Sequence, residues 1–215
     1  MKTKSFLFAF LLISLFGCVD VEDNKRSHIK GKILDGLENP VRDITIKSEA
    51  RYNLGEDISD LQGNFDFTSL VSNAKYFKIK INERNSSSYN EEWCSVSYHF
   101  ENKDLPNSFA FDTIRLNKKV NFHFKTERVS STEPVYVVVK TVKPDVEYAV
   151  NFSHLGFEKY QVFTKNISPI EPDINESFEA VENTEVSIAY QIGNSATQQV
   201  NIPLNQSEVT YVLSY

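Results

Sequence analysis

Apolar residues recur at every second position through most of the chain after residue 28. This alternation places successive side chains on opposite faces and is typical of a half-buried β-strand. In residues 76–81, for example, Phe77, Ile79 and Ile81 alternate with Tyr76 and two lysines. The pattern predicts strands over residues 29–33, 44–46, 65–67, 76–81, 92–100, 109–116, 120–125, 135–142, 160–164, 186–192, 200–204 and 209–215.

Segments that favour chain reversal separate these strands. Residues 35–41 contain Asp, Gly, Asn and Pro, and residues 59–63 contain two more such residues before the strand that carries Phe65 and Phe67 on one face. Asp can cap a turn through its own backbone, and Gly63 permits a positive φ. Residues 193–195 read Gly-Asn-Ser and predict a hairpin.

The spacing of strands and turns predicts the fold class. No convincing helical periodicity is present, and turns about every ten residues are typical of β-sandwiches. Residues 135–142 are apolar on both faces, as in a central strand or one at a domain contact. We therefore expect an all-β protein with two tandem β-sandwich domains, over residues 28–117 and 118–215.

The N-terminus has the pattern of an exported protein. Lys2 and Lys4 precede an apolar run over residues 6–16, which is shorter than the roughly 20 residues that span a bilayer. The sequence Leu15-Phe16-Gly17-Cys18 resembles the lipobox of bacterial lipoproteins. That resemblance implies a signal peptide over residues 1–17 and a diacylglycerol on the Cys18 thiol. The alternative is an ordinary signal peptide that contains a cysteine.

Residues 18–27 are polar and acidic, with Asp20, Glu22 and Asp23 close to the predicted lipid. They show no apolar period, so we predict a flexible tether. An acidic cluster at this place also resembles the signal that exports lipoproteins of one group of Gram-negative bacteria to the outer face of the outer membrane. The alternative is a solvated linker. The expected location is the outer membrane, with a lipid anchor.

Charge and cysteine content limit the function classes. The chain has 23 basic and 29 acidic residues, and its net charge of −6 becomes −8 once Lys2 and Lys4 are removed with the leader. With no basic patch, nucleic acid is not an expected partner. Cys94 is the only other cysteine, so no internal disulfide is expected beside a lipidated Cys18.

A set of glycine, aspartate, proline and apolar positions in the first predicted domain occurs in a fixed order. Its members are Gly31, Ile33, Asp35, Pro40, Val41, Ile44, Ile46, Asp60, Gly63, Phe65 and Phe67. This pattern resembles that of the carboxypeptidase regulatory-like family, whose fold is a transthyretin-type β-sandwich. Glu38 and Asp43 stand where that family usually has glycine. The resemblance covers roughly residues 29–70 and implies a non-catalytic module attached to a larger or exported protein.

Residues 92–100 predict a strand with two different faces. Cys94 falls on the apolar face and is expected to be a buried, inert thiol, whereas His99 falls on the other face and out of its reach. Trp93 shares the polar face. An exposed indole there can anchor a partner or stack on a sugar, and the alternative is a Trp93 covered by residues 86–89.

One further residue is a candidate for modification. Asp112-Thr113-Ile114 resembles the O-glycosylation acceptor of the same group of bacteria, with Thr113 as the acceptor. Catalysis is not expected, because the four histidines lack ligand spacing and no phosphate loop or nucleophile elbow is present. No metal and no cofactor are expected.

These patterns lead to a ranked set of functions. The first is a non-enzymatic, lipid-anchored lipoprotein of the outer membrane that acts as an interaction or accessory module. The alternatives are a structural subunit similar to the fimbrillin family, which adds a strand to a neighbouring sheet, and a glycan-binding surface lipoprotein that uses Trp93. The expected partners are the membrane, through the lipid, and a surface protein complex or a glycan.

Overall fold

The computed structural model describes residues 21–72, 74, 76–101, 107–150 and 157–215, with side chains from residue 25 onward. The predicted signal peptide and Cys18 lie outside these ranges. Among the described residues, no helix has the length and apolar character needed to cross a membrane.

Sixteen strands make up the described part of the chain. Those before residue 118 are β1 (Val21–Leu34), β2 (Thr45–Glu49), β3 (Asn53–Ile58), β4 (Asn64–Ser72), β5 (Tyr76–Ile81), β6 (Ser95–Glu101), β7 (Ser108–Ala110) and β8 (Ile114–Arg115). Those after it are β9 (Lys119–Glu127), β10 (Val135–Val142), β11 (Asp145–Val150), β12 (Tyr160–Ile167), β13 (Asn175–Val181), β14 (Thr184–Ile192), β15 (Gln198–Leu204) and β16 (Glu208–Ser214).

The strands form two sandwiches. In the N-terminal sandwich, the sheet β4-β1-β7, to which β8 adds by pairing with β1, faces the five-stranded sheet β11-β6-β5-β2-β3. In the C-terminal sandwich, β12-β10-β14-β15 faces β13-β9-β16. The prediction of an all-β protein with tandem β-sandwiches is confirmed, and β10 lies in the centre of its sheet as the sequence indicated.

Each sandwich has its own apolar core, built from the inward-facing residues of both sheets. In the N-terminal core Phe65 and Phe67 lie on the same face of β4, with 2% and 8% of their surface exposed, which confirms their predicted side. In the C-terminal core Phe122 and Phe124 of β9 are completely buried. Cys94 is free, so among the described residues the fold is held by these cores and by the strand ladders.

Two aspartate-capped turns support the N-terminal sandwich. Asp60 Oδ1 accepts the backbone N–H of Gln62 at 2.9 Å and of Asn64 at 2.8 Å. The Asn64 N–H is the main reason that the pKa of Asp60 lies below its usual value. Gly63 has φ +77°, as predicted, and a Cβ there would meet the Ile33 carbonyl oxygen at 2.3 Å.

The turn at Asp35 has the same design. Its Oδ1 accepts the N–H groups of Leu37 and Asn39, both at 2.8 Å. Glu38 and Asp43, which occupy the positions noted above as usual glycines, have φ values of 67° and 59°. Both therefore adopt the left-handed conformation that glycine enters most readily.

The N-terminal strand begins earlier than expected. Its apolar alternation starts at Ile29, but β1 starts at Val21, inside the segment interpreted as a tether. Val21 pairs with Ser72 of β4, and a register shift lies between Val21 and Arg26. The tether interpretation is therefore wrong from residue 21 onward. Ladder hydrogen bonds use the backbone, so a polar segment can extend a strand without showing an apolar period.

Strand β11 joins the two sandwiches. Residues 145–150 come from the C-terminal half of the chain but pair in parallel with β6 of the N-terminal sandwich. The N–H of Ser95 donates to the Pro144 carbonyl at 3.0 Å, and the rings of Tyr98 and Tyr148 stack with centroids 5.3 Å apart. The sequence does not reveal this pairing, because an alternating strand does not specify which sheet it enters.

We predict that a proline in β11 weakens the fold most where the lost N–H faces β6. The Pro144 carbonyl faces β6, and backbone groups alternate along a strand, so the Val146 N–H faces β6 and the Glu147 N–H faces solvent. Val146→Pro should lower the free energy of unfolding by about 2 kcal/mol. Urea unfolding measures this effect.

Two variants control this experiment. Val146→Ala removes side-chain contacts but keeps the N–H, and Glu147→Pro places the same ring on the solvent side of an edge strand. Both should cost about half as much as Val146→Pro or less. Equal losses for the two proline variants would show that β11 contributes no ladder hydrogen bonds in solution.

Candidate interaction site

The residues singled out from the sequence do not come together in one place. Cys18 lies outside the described residues. Thr113 is exposed between β7 and β8, so its hydroxyl is accessible, while the next residue, Ile114, is only 2% exposed and belongs to the core. Trp93 and Cys94 lie at the start of the segment that leads into β6.

Trp93 is a core residue and not an exposed anchor. It is 9% exposed and packs in the N-terminal core, with the Lys118 Nζ 5.3 Å from the centroid of its ring. The predicted strand began at Glu92, whereas β6 begins at Ser95, so the alternation that placed Trp93 on a polar face does not reach it. An indole this buried offers little surface to a sugar, and the glycan hypothesis loses its proposed site.

Cys94 is 2% exposed, and its burial raises the pKa of the thiol to about 12. Its Sγ lies 3.6 Å from the Lys118 carbonyl oxygen. His99 lies five residues further along, where it alternates with the core-facing Tyr98 and Phe100 of β6, and its Nε2 lies 3.3 Å from Glu147 Oε1 without hydrogen-bond geometry. Burial, followed by the charge of Lys78, lowers the pKa of His99. The pair cannot act as a catalytic dyad.

We predict that Cys94 resists alkylation in the folded protein. A pKa of about 12 leaves roughly one thiol in ten thousand as thiolate at pH 8. In the Cys18→Ser chain, iodoacetamide at pH 8 should leave the native protein unlabelled and should label it fully in urea. Mass spectrometry gives the extent of labelling. Rapid labelling of the native protein would contradict the burial of Cys94.

A buried asparagine organises the segment that leads to the sandwich junction. Asn82 is completely buried with φ 54°, and its Nδ2 donates to the carbonyls of Asn90 and Trp93, both at 2.9 Å. Its Oδ1 accepts the Asn90 N–H at 2.8 Å, and its own carbonyl accepts the Ser95 hydroxyl at 2.6 Å. These bonds fix residues 82–95, which carry Arg84 to the junction.

Charged side chains bridge the two sandwiches at this junction. Arg84 pairs with Glu179 of β13, and its Nη1 lies 3.5 Å from Asp145 of β11. The carboxylate of Glu179 is the main reason that the pKa of Arg84 is raised. Lys119 donates to the Tyr89 hydroxyl at 2.7 Å and lies 3.4 Å from Glu179. A polar cleft of about 600 Å³ runs beside these groups.

The two long sides of the C-terminal sandwich differ. On the side formed by β12 and β13, Gln161 Nε2 donates to the Glu179 carbonyl at 2.5 Å, and the rings of Phe163 and Phe178 meet edge to face at 5.5 Å. These contacts connect the two sheets and close that side. We call the opposite side, formed by β15 and β16, the open side.

The open side exposes two strand edges and part of the core. Within the described residues, β15 pairs only with β14, and β16 pairs only with β9. Ile202 of β15, and Val209 and Tyr211 of β16, are only half-buried although they pack against the core. Val200 lies on the same face of β15 as Ile202 and is also half-buried. An added strand would cover this apolar surface and use the free backbone groups.

The direction of each backbone group along β15 shows which residues form its free edge. The Leu204 carbonyl accepts the Asn183 N–H at 2.7 Å, and Pro203 has no N–H to give to β14. Leu204 and Ile202 therefore direct their backbone groups to β14, whereas Gln199 and Asn201 direct theirs outward. Pro203 limits the edge at one end, because no further N–H is offered there. Sequence analysis placed this strand but gave no sign of its free edge.

No protein-family model matches the chain, and no curated protein matches it. Several solved structures are similar at low identity. The Bacillus anthracis TIE protein gives a TM-score of 0.34 at 7% identity, with 88% of this chain and 34% of that one covered. This chain therefore spans about a third of that protein.

Two further structures cover most of both chains. The tip fimbrial protein Mfa3 from Porphyromonas gingivalis, with a C-terminal truncation, gives a TM-score of 0.29 at 8% identity over 82% of this chain and 81% of that one. Shaft pilin SpaA from Lactobacillus rhamnosus GG gives 0.30 at 9% identity over 88% and 97%. With TM-scores this low, these similarities carry no argument about function, which rests on the residues of this chain.

Proposed function

We propose that this protein is a non-enzymatic, lipid-anchored lipoprotein of the outer membrane that acts as an interaction module. The observation that carries the proposal is the open side of the C-terminal sandwich. Two strand edges are free there within the described residues, and the inward-facing Val200, Ile202, Val209 and Tyr211 are only half-buried. The Leu15-Phe16-Gly17-Cys18 pattern supports the lipid anchor.

The binding step in this proposal is the addition of an extended segment of a partner to β15. Gln199 and Asn201 offer outward N–H and carbonyl groups to such a segment, and main-chain hydrogen bonds provide the affinity in this mode of recognition. Alternate side chains of the added segment would cover Val200 and Ile202. The β11–β6 ladder and the Arg84 ion pairs connect this sandwich to the N-terminal one.

Fractionation of cells tests the anchor and the location. We expect the wild-type chain in the membrane fraction and accessible to added protease on intact cells, and the Cys18→Ser chain in the soluble fraction. A membrane-bound but protected wild type would place the protein on the periplasmic face. If Cys18→Ser stays in the membrane fraction, the lipid anchor is wrong.

A second candidate function is a fimbrillin-like structural subunit. The observation that favours it is that β12 and β15, the two outer strands of one four-stranded sheet, pair only with β10 and β14 within the described residues. The sheet could then continue from one copy to the next, with β12 of one copy beside β15 of another. Such a head-to-tail contact is heterologous and does not close on itself.

Asn201→Pro tests whether the β15 edge is used. It removes one outward N–H and no bond to β14, so the fold should persist while strand addition weakens about tenfold. Asn201→Ala keeps the N–H and controls for the lost side chain. Sedimentation velocity over a range of concentrations measures self-association of the three chains.

The outcomes separate the two candidates. Association that is lost in Asn201→Pro and kept in Asn201→Ala supports the structural subunit. A wild type that stays monomeric at high concentration rules that candidate out and leaves a different partner for the edge. Equal association of all three chains shows that β15 is not the contact.

A further inference from the structure

A second surface lies on the outer face of the C-terminal sandwich, away from the open side. Tyr160 of β12 is 42% exposed there, and Lys140, Lys143 and Lys159 surround it. We call these four residues the Tyr160 patch. The strand register explains their proximity, because Tyr160 lies opposite Val142 and the neighbouring pair on the same face joins Lys140 to Val162.

Two of the three lysines in the patch contact the aromatic ring and no acidic side chain within the described residues. The Lys140 Nζ lies 4.2 Å from the Tyr160 ring centroid, and the Lys159 Nζ lies 5.8 Å from it. Neither ammonium group has a carboxylate partner within the described residues. Lys143 lies 3.5 Å from Glu158, whose side chain is 87% exposed, so that pair is weak.

Charge complementarity identifies the kind of ligand. Three ammonium groups face one carboxylate in a chain whose net charge is −6, so this is a local reversal of sign. An anionic group placed here would give Lys140 and Lys159 the ion-pair partner that they lack within the described residues. The surface therefore fits a negatively charged ligand.

The shape limits the ligand further. The patch borders a depression of about 550 Å³ that Gln161 and Val162 also line, which is within the range of small-molecule sites. Val162 is 59% exposed and, with the rim of the Tyr160 ring, gives the depression an apolar floor. Positive charge beside apolar surface suits a ligand whose rings have an apolar face and carry carboxylates.

We propose that the Tyr160 patch binds an acidic polysaccharide. Lys140 and Lys159 pair with carboxylates on successive sugars, and the apolar face of one sugar rests on Val162 and the rim of the Tyr160 ring. Three lysines are fewer than the four to eight basic residues typical of anionic-lipid binding. A stable protein complex buries about 800 Å² on each partner, which is more than the four side chains of the patch provide. Both points favour a polysaccharide.

Isothermal titration with a tetramer of galacturonic acid tests the proposal, with maltotetraose as the uncharged control. The full chain should bind the acidic tetramer, and the affinity should fall as salt rises. Lys140→Glu combined with Lys159→Glu should weaken binding more than tenfold, and Tyr160→Ala about fivefold. Lys125→Glu, on the outer face of the other sheet, makes the same type of charge change elsewhere and should leave the affinity unchanged.

Several outcomes would overturn the proposal. These are no binding of the acidic tetramer at low salt, equal binding of maltotetraose, and an equal loss of affinity in Lys125→Glu. Tighter binding of phosphatidylglycerol vesicles would identify a lipid surface, and tighter binding of polyglutamate an acidic protein segment. Asn201→Pro should bind the tetramer like wild type, so failure of the strand-addition proposal and failure of this one are separate results.

Discussion

The parallel pairing of β11 with β6 determines how the two sandwiches are joined. Residues 145–150 leave the C-terminal sandwich, complete the N-terminal sheet and return after residue 156 to β12. The junction is therefore a shared ladder of hydrogen bonds reinforced by Arg84, which reaches both Asp145 and Glu179. A simple cut after residue 117 would leave the β6 edge unpaired.

Much of the local structure could be predicted from the sequence because local rules decide it. Alternation identified the strands that contain Phe65 and Phe67 or Val186 and Ile188, since a one-sided core requires a period of two. The positive φ of Gly63 followed from turn chemistry. These features depend on neighbours within a few residues, and the sequence states those neighbours directly.

Features that depend on distant partners were not predictable in the same way. The sheet that β11 enters is decided by Tyr98 and Ser95, about fifty residues earlier, and no alternation pattern contains that choice. Trp93 was misplaced because β6 begins two residues after it.

The candidate surfaces were also not predictable, because residues far apart in the chain form them. The free edge of β15 depends on which strands lie beside it, a property of the whole sheet. The Tyr160 patch depends on a register that brings Lys140 next to a residue twenty positions away.

Two of the edge strands that pair in parallel, β11 and β16, also set the order in which the molecule can finish folding. β11 pairs with residues about 50 positions earlier, and β16 pairs with residues about 87 positions earlier. Contacts this distant along the chain are slow to form, because the intervening loop has to close first. The N-terminal sheet cannot be completed before residue 150 has emerged, nor the C-terminal one before the last strand. A chain exported from its N-terminus would thus present unpaired edges until its end arrives, and during that interval it is open to mispairing and aggregation.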